Sequence, residues 1–237
     1  MSDKIILVSS EILMCKGEAT SSLFRCAKSA NCFVIKEHNY LYAIDSGAGA
    51  VMRSLLKTAI KSLKDSTKNF ILINTHAHVD HFSNNDIIME VEGFNRIIHL
   101  MHENSASMFD PYASTFKHVK KFDAYYDFLE GPPPPFRTLT RALQIGGRHW
   151  ALRQLVNLMI KQFEPIKPSP RTATFLGEHP GENNLFPEFR PDNFIHDDVR
   201  ANAWTAPGAT IIHDGAHSLD HLILFFPKKR FIITGDL

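Results

Sequence analysis

The chain has 237 residues, of which 44% are hydrophobic and 22% are charged, and its net charge is +1 with the histidines neutral. This length suits one large domain or two small ones with a substantial buried core. The near-zero net charge gives no general attraction to nucleic acid or to anionic membranes, so we expect neither as a partner.

The cysteines and the start of the chain favour a cytoplasmic protein. The chain has three cysteines, Cys15, Cys26 and Cys32, and they form no CxxC pair. This pattern fits a reducing compartment, although a single disulfide between two of them is an open alternative. The first apolar run is short and follows an early aspartate, unlike a signal peptide. No stretch is long and apolar enough to span a bilayer.

The first hundred residues predict strands that alternate with helices. Residues 4–9 (KIILVS) predict a strand, and residues 31–45 (NCFVIKEHNYLYAID) predict a hairpin that turns at His38-Asn39. The apolar spacing of residues 50–65 predicts an amphipathic helix. Next come a strand, a helix and a strand, at residues 69–74, 84–94 and 96–101. This alternation indicates a layered α/β arrangement.

Residues 105–167 contain little strand pattern, and the segments that follow them, up to about residue 190, are rich in loop-forming residues. Residues 116–130 and 148–163 predict helices, separated by a stiff GPPPPF run. We interpret 105–190 as a helical and loop insertion within the main fold. A lid or substrate wall and a packing appendage or oligomer contact are equally open roles for it. Strand patterns then return at residues 209–215, 221–227 and 230–236.

Residues 75–81 (THAHVDH) concentrate side chains that bind metals. Neutral imidazole and carboxylate are favoured zinc ligands. Residues two apart in an extended segment point the same way, so His76 and His78 can reach one ion. A tight turn into the next helix could aim Asp80 and His81 at a neighbouring position. The spacing therefore suits two adjacent metals.

Two distant segments can complete such a site. Residues 213–222 (HDGAHSLDHL) contain His217, and Asp236 ends an apolar strand pattern. A carboxylate in that position is costly to bury without a partner, and a metal would supply one.

These motifs resemble the metallo-β-lactamase-fold hydrolase superfamily. The resemblance rests on THAHVDH, HDGAHSLDHL and FIITGDL, with YAIDSG similar to an early strand of the family, and all four occur in the family's order. It covers roughly residues 30–102 and 194–237, and it implies a single domain over 1–237. The implied fold class is α/β, an αββα sandwich of two face-to-face sheets with helices outside.

The resemblance also implies the metal ligands. His76, His78 and His217 would bind the first metal, Asp80 and His81 the second, and Asp236 would bridge both. Asp80 is also the candidate catalytic residue. The implied cofactor is zinc, one or two ions, which would activate water for attack on an electrophilic centre.

The family normally continues beyond the Gly-Asp strand to a final histidine that completes the second metal site. This sequence ends at Leu237. We therefore expect a C-terminally truncated member, with an incomplete second half of the sandwich and a weaker second metal site.

Other residues near the motifs receive supporting roles. Asp45 is predicted as a turn and packing residue beneath the site, and His213 as structural. His221 is a candidate for holding a ligand or loop in place. His102 is a candidate pocket residue, with a structural role equally open.

The resulting hypothesis is a metal-dependent hydrolase for a small-molecule ester, thioester, lactone or related bond. The 18 phenylalanines and the insertion weakly favour a substrate with an apolar part. The alternatives are a mononuclear iron oxygenase-type member of the same fold and a truncated, non-catalytic product. His78 stands where diiron relatives carry a glutamate, which favours zinc over iron. The sequence does not indicate an oligomeric state.

Overall fold

The computed structural model describes residues 3–17, 29–106, 174–176, 186 and 203–237. The helices predicted over 116–130 and 148–163, and Cys26, lie outside these residues. None of the helices in the described part of the chain is long and apolar enough to cross a membrane.

The first β-sheet contains seven strands among the described residues, and they follow one another in chain order. They are β1 (Ile5–Ser9), β2 (Ile12–Cys15), β3 (Cys32–Glu37), β4 (Tyr40–Ile44), β5 (Asn69–Ile73), β6 (Arg96–His102) and β7 (Thr174–Leu176). The first four strands pair antiparallel, and β4 to β7 pair parallel. The carboxyl ends of the parallel strands therefore meet at one edge, where ligand sites form in such sheets.

The second sheet contains four antiparallel strands in the described part of the chain. They are β8 (Ala203–Ala206), β9 (Ala209–His213), β10 (Leu222–Phe226) and β11 (Phe231–Ile233). The strand predicted at residues 4–9, the hairpin at 31–45 and the three strands after residue 208 are confirmed. The sequence patterns did not indicate β2, β7 or β8.

The two sheets pack face to face through a shared apolar core. Tyr42 of the first sheet meets Phe226 of the second edge-on, with ring centroids 5.3 Å apart. The Tyr42 hydroxyl donates a hydrogen bond to the carbonyl of Pro207 (2.9 Å), so this buried polar group is satisfied. Burial raises the pKa of the Tyr42 hydroxyl, so this group stays protonated.

The core between the two sheets contains residues of both, so the sandwich predicted from the sequence is confirmed.

Helix α1 (Gly49–Leu63) covers the outer face of the first sheet. Its apolar positions recur at helical spacing, and Met52, Leu56 and Ala59 are buried against the strands. The amphipathic helix predicted at residues 50–65 is therefore confirmed.

Replacing Leu56 by alanine is expected to lower the free energy of unfolding by about 2–5 kcal/mol, because the side chain is fully buried and its loss leaves a cavity. Denaturant unfolding measures the change. Lys61→Ala, on the exposed face of the same helix, is the matched control and should shift stability by less than about 0.5 kcal/mol. Equal losses in both variants would contradict the assignment of Leu56 to the core.

The segment predicted as a helix at residues 84–94 is instead a short 3₁₀ helix, Asn85–Met89. A helix through residue 94 is excluded by Gly93, whose φ of 70° is left-handed. Two asparagine side chains hold the start of the segment. Asn84 donates to the carbonyls of Ser46 and Gly49, and buried Asn85 bonds Ser46 and Asn74.

Candidate metal centre

The candidate ligands converge because their strands end at the same edge. β5 leads directly into Asn74-Thr75-His76, and the four-residue helix α2 (Val79–Phe82) carries Asp80 and His81. From the second sheet, His217 lies in the loop between β9 and β10, and Asp236 follows β11. Residues up to 160 positions apart in sequence therefore meet at one place.

The first ligand group consists of His76, His78, His217 and Asp236, whose ligand atoms lie within 4.8 Å of one another. Nε2 of His217 is 3.1 Å from Nδ1 of His78. Oδ2 of Asp236 is 3.7 Å from Nε2 of His76 and 3.7 Å from Nε2 of His217. Three imidazoles and a carboxylate form a donor set typical of zinc sites.

The second ligand group faces the other oxygen of the same aspartate. Nε2 of His81 lies 3.2 Å from Oδ1 of Asp236 and 3.7 Å from Oδ2 of Asp80. Asp236 therefore presents one oxygen to each group, although its side chain is 42% exposed and so less buried than the strand-end position suggested. The geometry places a carboxylate between the two groups.

The electrostatics of the centre favour a cation. Burial lowers the pKa of His76, and neighbouring histidines lower it further. Burial and the adjacent His217 lower the pKa of His78 to about 4. Both rings are therefore neutral at pH 7, as metal ligation requires. Nε2 of His76 is buried without a hydrogen-bond partner in the described residues, which a bound metal ion would satisfy.

The acidic side chains differ in their surroundings. Burial raises the pKa of Asp80. The hydrogen bond with His81 lowers the pKa of Asp236, which keeps it ionised. Burial alone would lower the pKa of His81, but Asp45 and Asp236 raise it well above its usual value. The surrounding carboxylates therefore favour a positive charge at His81, which is a proton in the metal-free chain and which a second cation would displace on binding.

Asp45 positions His81 and does not itself join either ligand group. It has a positive φ of 59° at the end of β4, and its carboxylate accepts hydrogen bonds from the Thr75 N–H (2.8 Å) and hydroxyl (2.9 Å). Its Oδ2 also lies 2.9 Å from Nδ1 of His81. A carboxylate on one ring nitrogen directs the other nitrogen to the ligand. This agrees with the turn and packing role predicted for Asp45.

His221 borders the centre, whereas His102 belongs to a separate aromatic contact. Nδ1 of His221 is 2.6 Å from Oδ1 of Asp214, and the ring lies 5.4 Å from that of His76. The buried ring of His102 stacks on His213 at 3.8 Å. Burial lowers the pKa of His102 to about 4, so it is neutral.

The sequence patterns gave no role to Asp220, which is fully buried beside the ligand loops. Its oxygens accept hydrogen bonds from Ala77, Ser105 and Ser218. Its position next to the apolar strand β10 was the available signal. An aspartate that is buried at such a position needs hydrogen-bond partners, so it is a candidate for a structural contact.

The structure is thus a layered α/β sandwich with a candidate metal centre of histidine and aspartate side chains at one sheet edge. The sequence profile of the metallo-beta-lactamase superfamily matches residues 27–237. The chain belongs to the metallo-beta-lactamase superfamily.

Solved structures agree with this assignment at the level of the fold. A beta-lactamase domain protein from Burkholderia ambifaria matches with a TM-score of 0.50 and 15% identity, over 100% of this chain and 57% of that chain. A metallo beta lactamase from Hirschia baltica matches with a TM-score of 0.50 and 11% identity, over 97% of this chain and 69% of that one. The chain thus spans little more than half the length of the Burkholderia protein. No curated protein sequence matches the chain significantly.

Proposed function

We propose that this protein is a metal-dependent hydrolase that uses a metal-activated water to cleave an ester, thioester, lactone or related bond of a small molecule. The observation that carries the proposal is the position of Asp236 between two ligand groups, with Oδ2 facing His76 and His217 and Oδ1 facing His81. Zinc is the ion that this imidazole-rich donor set favours.

The residues divide the work as follows. His76, His78 and His217 would hold the first ion, Asp80 and His81 the second, and Asp236 would contact both. When bound, the metal supplies a Lewis acid that makes water nucleophilic near neutral pH and polarises the substrate oxygen.

Of the proposed metal ligands, Asp80 is the one to which we also assign a catalytic role. Its side chain is only 24% exposed, and burial raises its pKa. From that position its carboxylate would accept a hydrogen bond from the attacking water and orient it. No serine or cysteine nucleophile is required, so no covalent intermediate is part of the proposal.

The proposal is tested by removing and restoring the metal. The purified chain is assayed against a panel of ester, thioester, lactone and β-lactam substrates before chelation, after chelation and after addition of zinc. We expect hydrolysis of at least one class, a loss of more than about 100-fold on chelation, and recovery with zinc. Metal content is measured by mass spectrometry on the same samples.

Three outcomes would contradict the proposal. Hydrolysis that persists after complete metal removal would exclude metal catalysis. Bound iron together with substrate-dependent consumption of dioxygen would support an oxygenase-type reaction. Bound metal without turnover of any substrate class would favour a non-catalytic product.

A further inference from the structure

We propose that Asp220 is a positioning residue that fixes the three histidines of the first ligand group relative to one another. This inference rests on the proposed function, because it concerns the same centre. Asp220 lies in the loop between β9 and β10, three residues after His217, and its side chain is fully buried. A buried carboxylate is costly unless its oxygens are hydrogen-bonded.

Both oxygens of Asp220 are hydrogen-bonded. Oδ2 accepts the backbone N–H of Ala77 (2.7 Å) and the hydroxyl of Ser105 (2.7 Å). Oδ1 accepts the hydroxyl of Ser218 (2.7 Å). All three donors are uncharged, so the carboxylate is held by short, charge-assisted hydrogen bonds rather than by a salt bridge.

The donors are placed so that one carboxylate joins the two ligand loops. Ala77 lies between His76 and His78, and its N–H is part of the backbone that sets their relative direction. Ser218 follows His217 directly. A second hydrogen bond, from the Leu222 N–H to the Thr75 carbonyl (2.7 Å), joins the same two segments close to Asp220. Asp220 therefore connects the strand-end pair of histidines to the third histidine from the other sheet.

Asp220 does not act as a ligand in this arrangement. Its oxygens are engaged by Ala77, Ser105 and Ser218, and the ligand group found among the described residues does not include it. Residues that orient ligands in this way affect metal affinity by roughly 10- to 100-fold when they are replaced.

The decisive variant is Asp220→Asn, which keeps the size of the side chain. An amide has one acceptor oxygen in place of two. With that oxygen on Ala77 and Ser105, its NH₂ group faces the Ser218 hydroxyl, so the charge-assisted hydrogen bond to the residue after His217 is lost. The asparagine side chain therefore cannot accept all three hydrogen bonds. Ser105→Ala is the matched control, because it removes a hydrogen bond to the same carboxylate from a donor outside both ligand loops.

The experiment titrates metal-free protein with Co²⁺ and records the visible ligand-field spectrum. Competition with a chromophoric chelator gives Zn²⁺ affinity. We expect Asp220→Asn to bind the first ion roughly 10- to 100-fold more weakly, with an altered Co²⁺ spectrum, and Ser105→Ala to stay within about threefold of the parent. Thermal unfolding of the metal-free proteins shows whether each variant is folded.

Each result decides the question. A parent-like spectrum and affinity in Asp220→Asn would overturn the inference, as would equal impairment in Ser105→Ala. If Asp220→Asn does not fold, Ser218→Ala takes its place. Weaker metal binding by Ser218→Ala at unchanged thermal stability supports the inference. Parent-like metal binding by Ser218→Ala overturns it. A parent that binds metal but hydrolyses nothing would defeat the proposed function alone. A parent that binds no metal would defeat both.

Discussion

His76→Ala is expected to abolish measurable hydrolysis and to weaken binding of the first metal by more than about 100-fold, since even residues that only orient a ligand cost roughly 10- to 100-fold when removed. The His76 side chain is fully buried, and its ring lies 4.4 Å from that of His78 and 4.8 Å from that of His217. Its removal therefore leaves a vacant ligand position at the centre of the first group.

Metal content, Co²⁺ titration and turnover of the best panel substrate measure the effect. The matched control is His38→Asn, at an exposed histidine in the turn between β3 and β4. Asparagine tolerates the positive φ of 52° at that position. The control should retain parent-like binding and turnover. A His76→Ala protein that retained both would show that the chemistry does not depend on this cluster.

The local part of the centre was predictable because it is encoded in a short segment. His76 and His78 are two residues apart at a strand end, and Asp80 and His81 follow in the next turn. The parallel pairing of β5 with β4 and β6 then places this segment at the sheet edge where ligands collect. The long-range ligands, His217 and Asp236, were candidates from their residue types and positions, but their assignment to particular metals came only from the resemblance to the family.

The supporting contacts could not be predicted, because they join residues with no local pattern. Asp220 bonds Ala77 across 143 positions of sequence. Asp45 was predicted to occupy a turn, but its hydrogen bonds to Thr75 and its contact with His81 exist only in the assembled fold. Burial and hydrogen-bond partners of polar groups are properties of the assembled fold.

The secondary structure shows the same division. β5 and β10, which contain long apolar runs, were predicted, whereas the four-residue strand β2 was missed although it is apolar throughout. β8 was also missed, since half of Ala203–Ala206 is alanine, a residue that is depleted in strands. The interpretation of residues 105–190 as an insertion stays a prediction over most of its length. Within it, Thr174–Leu176 pairs with β6 and extends the first sheet.

Asp236→Ala is expected to weaken binding of both metals, whereas Asp80→Ala should weaken the second alone. The reason is the division of the Asp236 oxygens, with Oδ2 at 3.7 Å from His76 and Oδ1 at 3.2 Å from His81. Asp80 approaches His81 at 3.7 Å and belongs to the second group. Each affected ion should bind at least about 10-fold more weakly.

Zinc titration with metal content measured by mass spectrometry separates the two variants. Asp80→Ala should still bind roughly one ion per chain with parent-like affinity, because the three histidines of the first group remain. Asp65→Asn, at an exposed aspartate after α1, is the control for loss of an acidic charge and should leave binding unchanged. If Asp236→Ala affected one ion only, Asp236 would be a ligand of a single metal. A mononuclear mechanism at His76, His78 and His217 would then replace a mechanism that uses two ions.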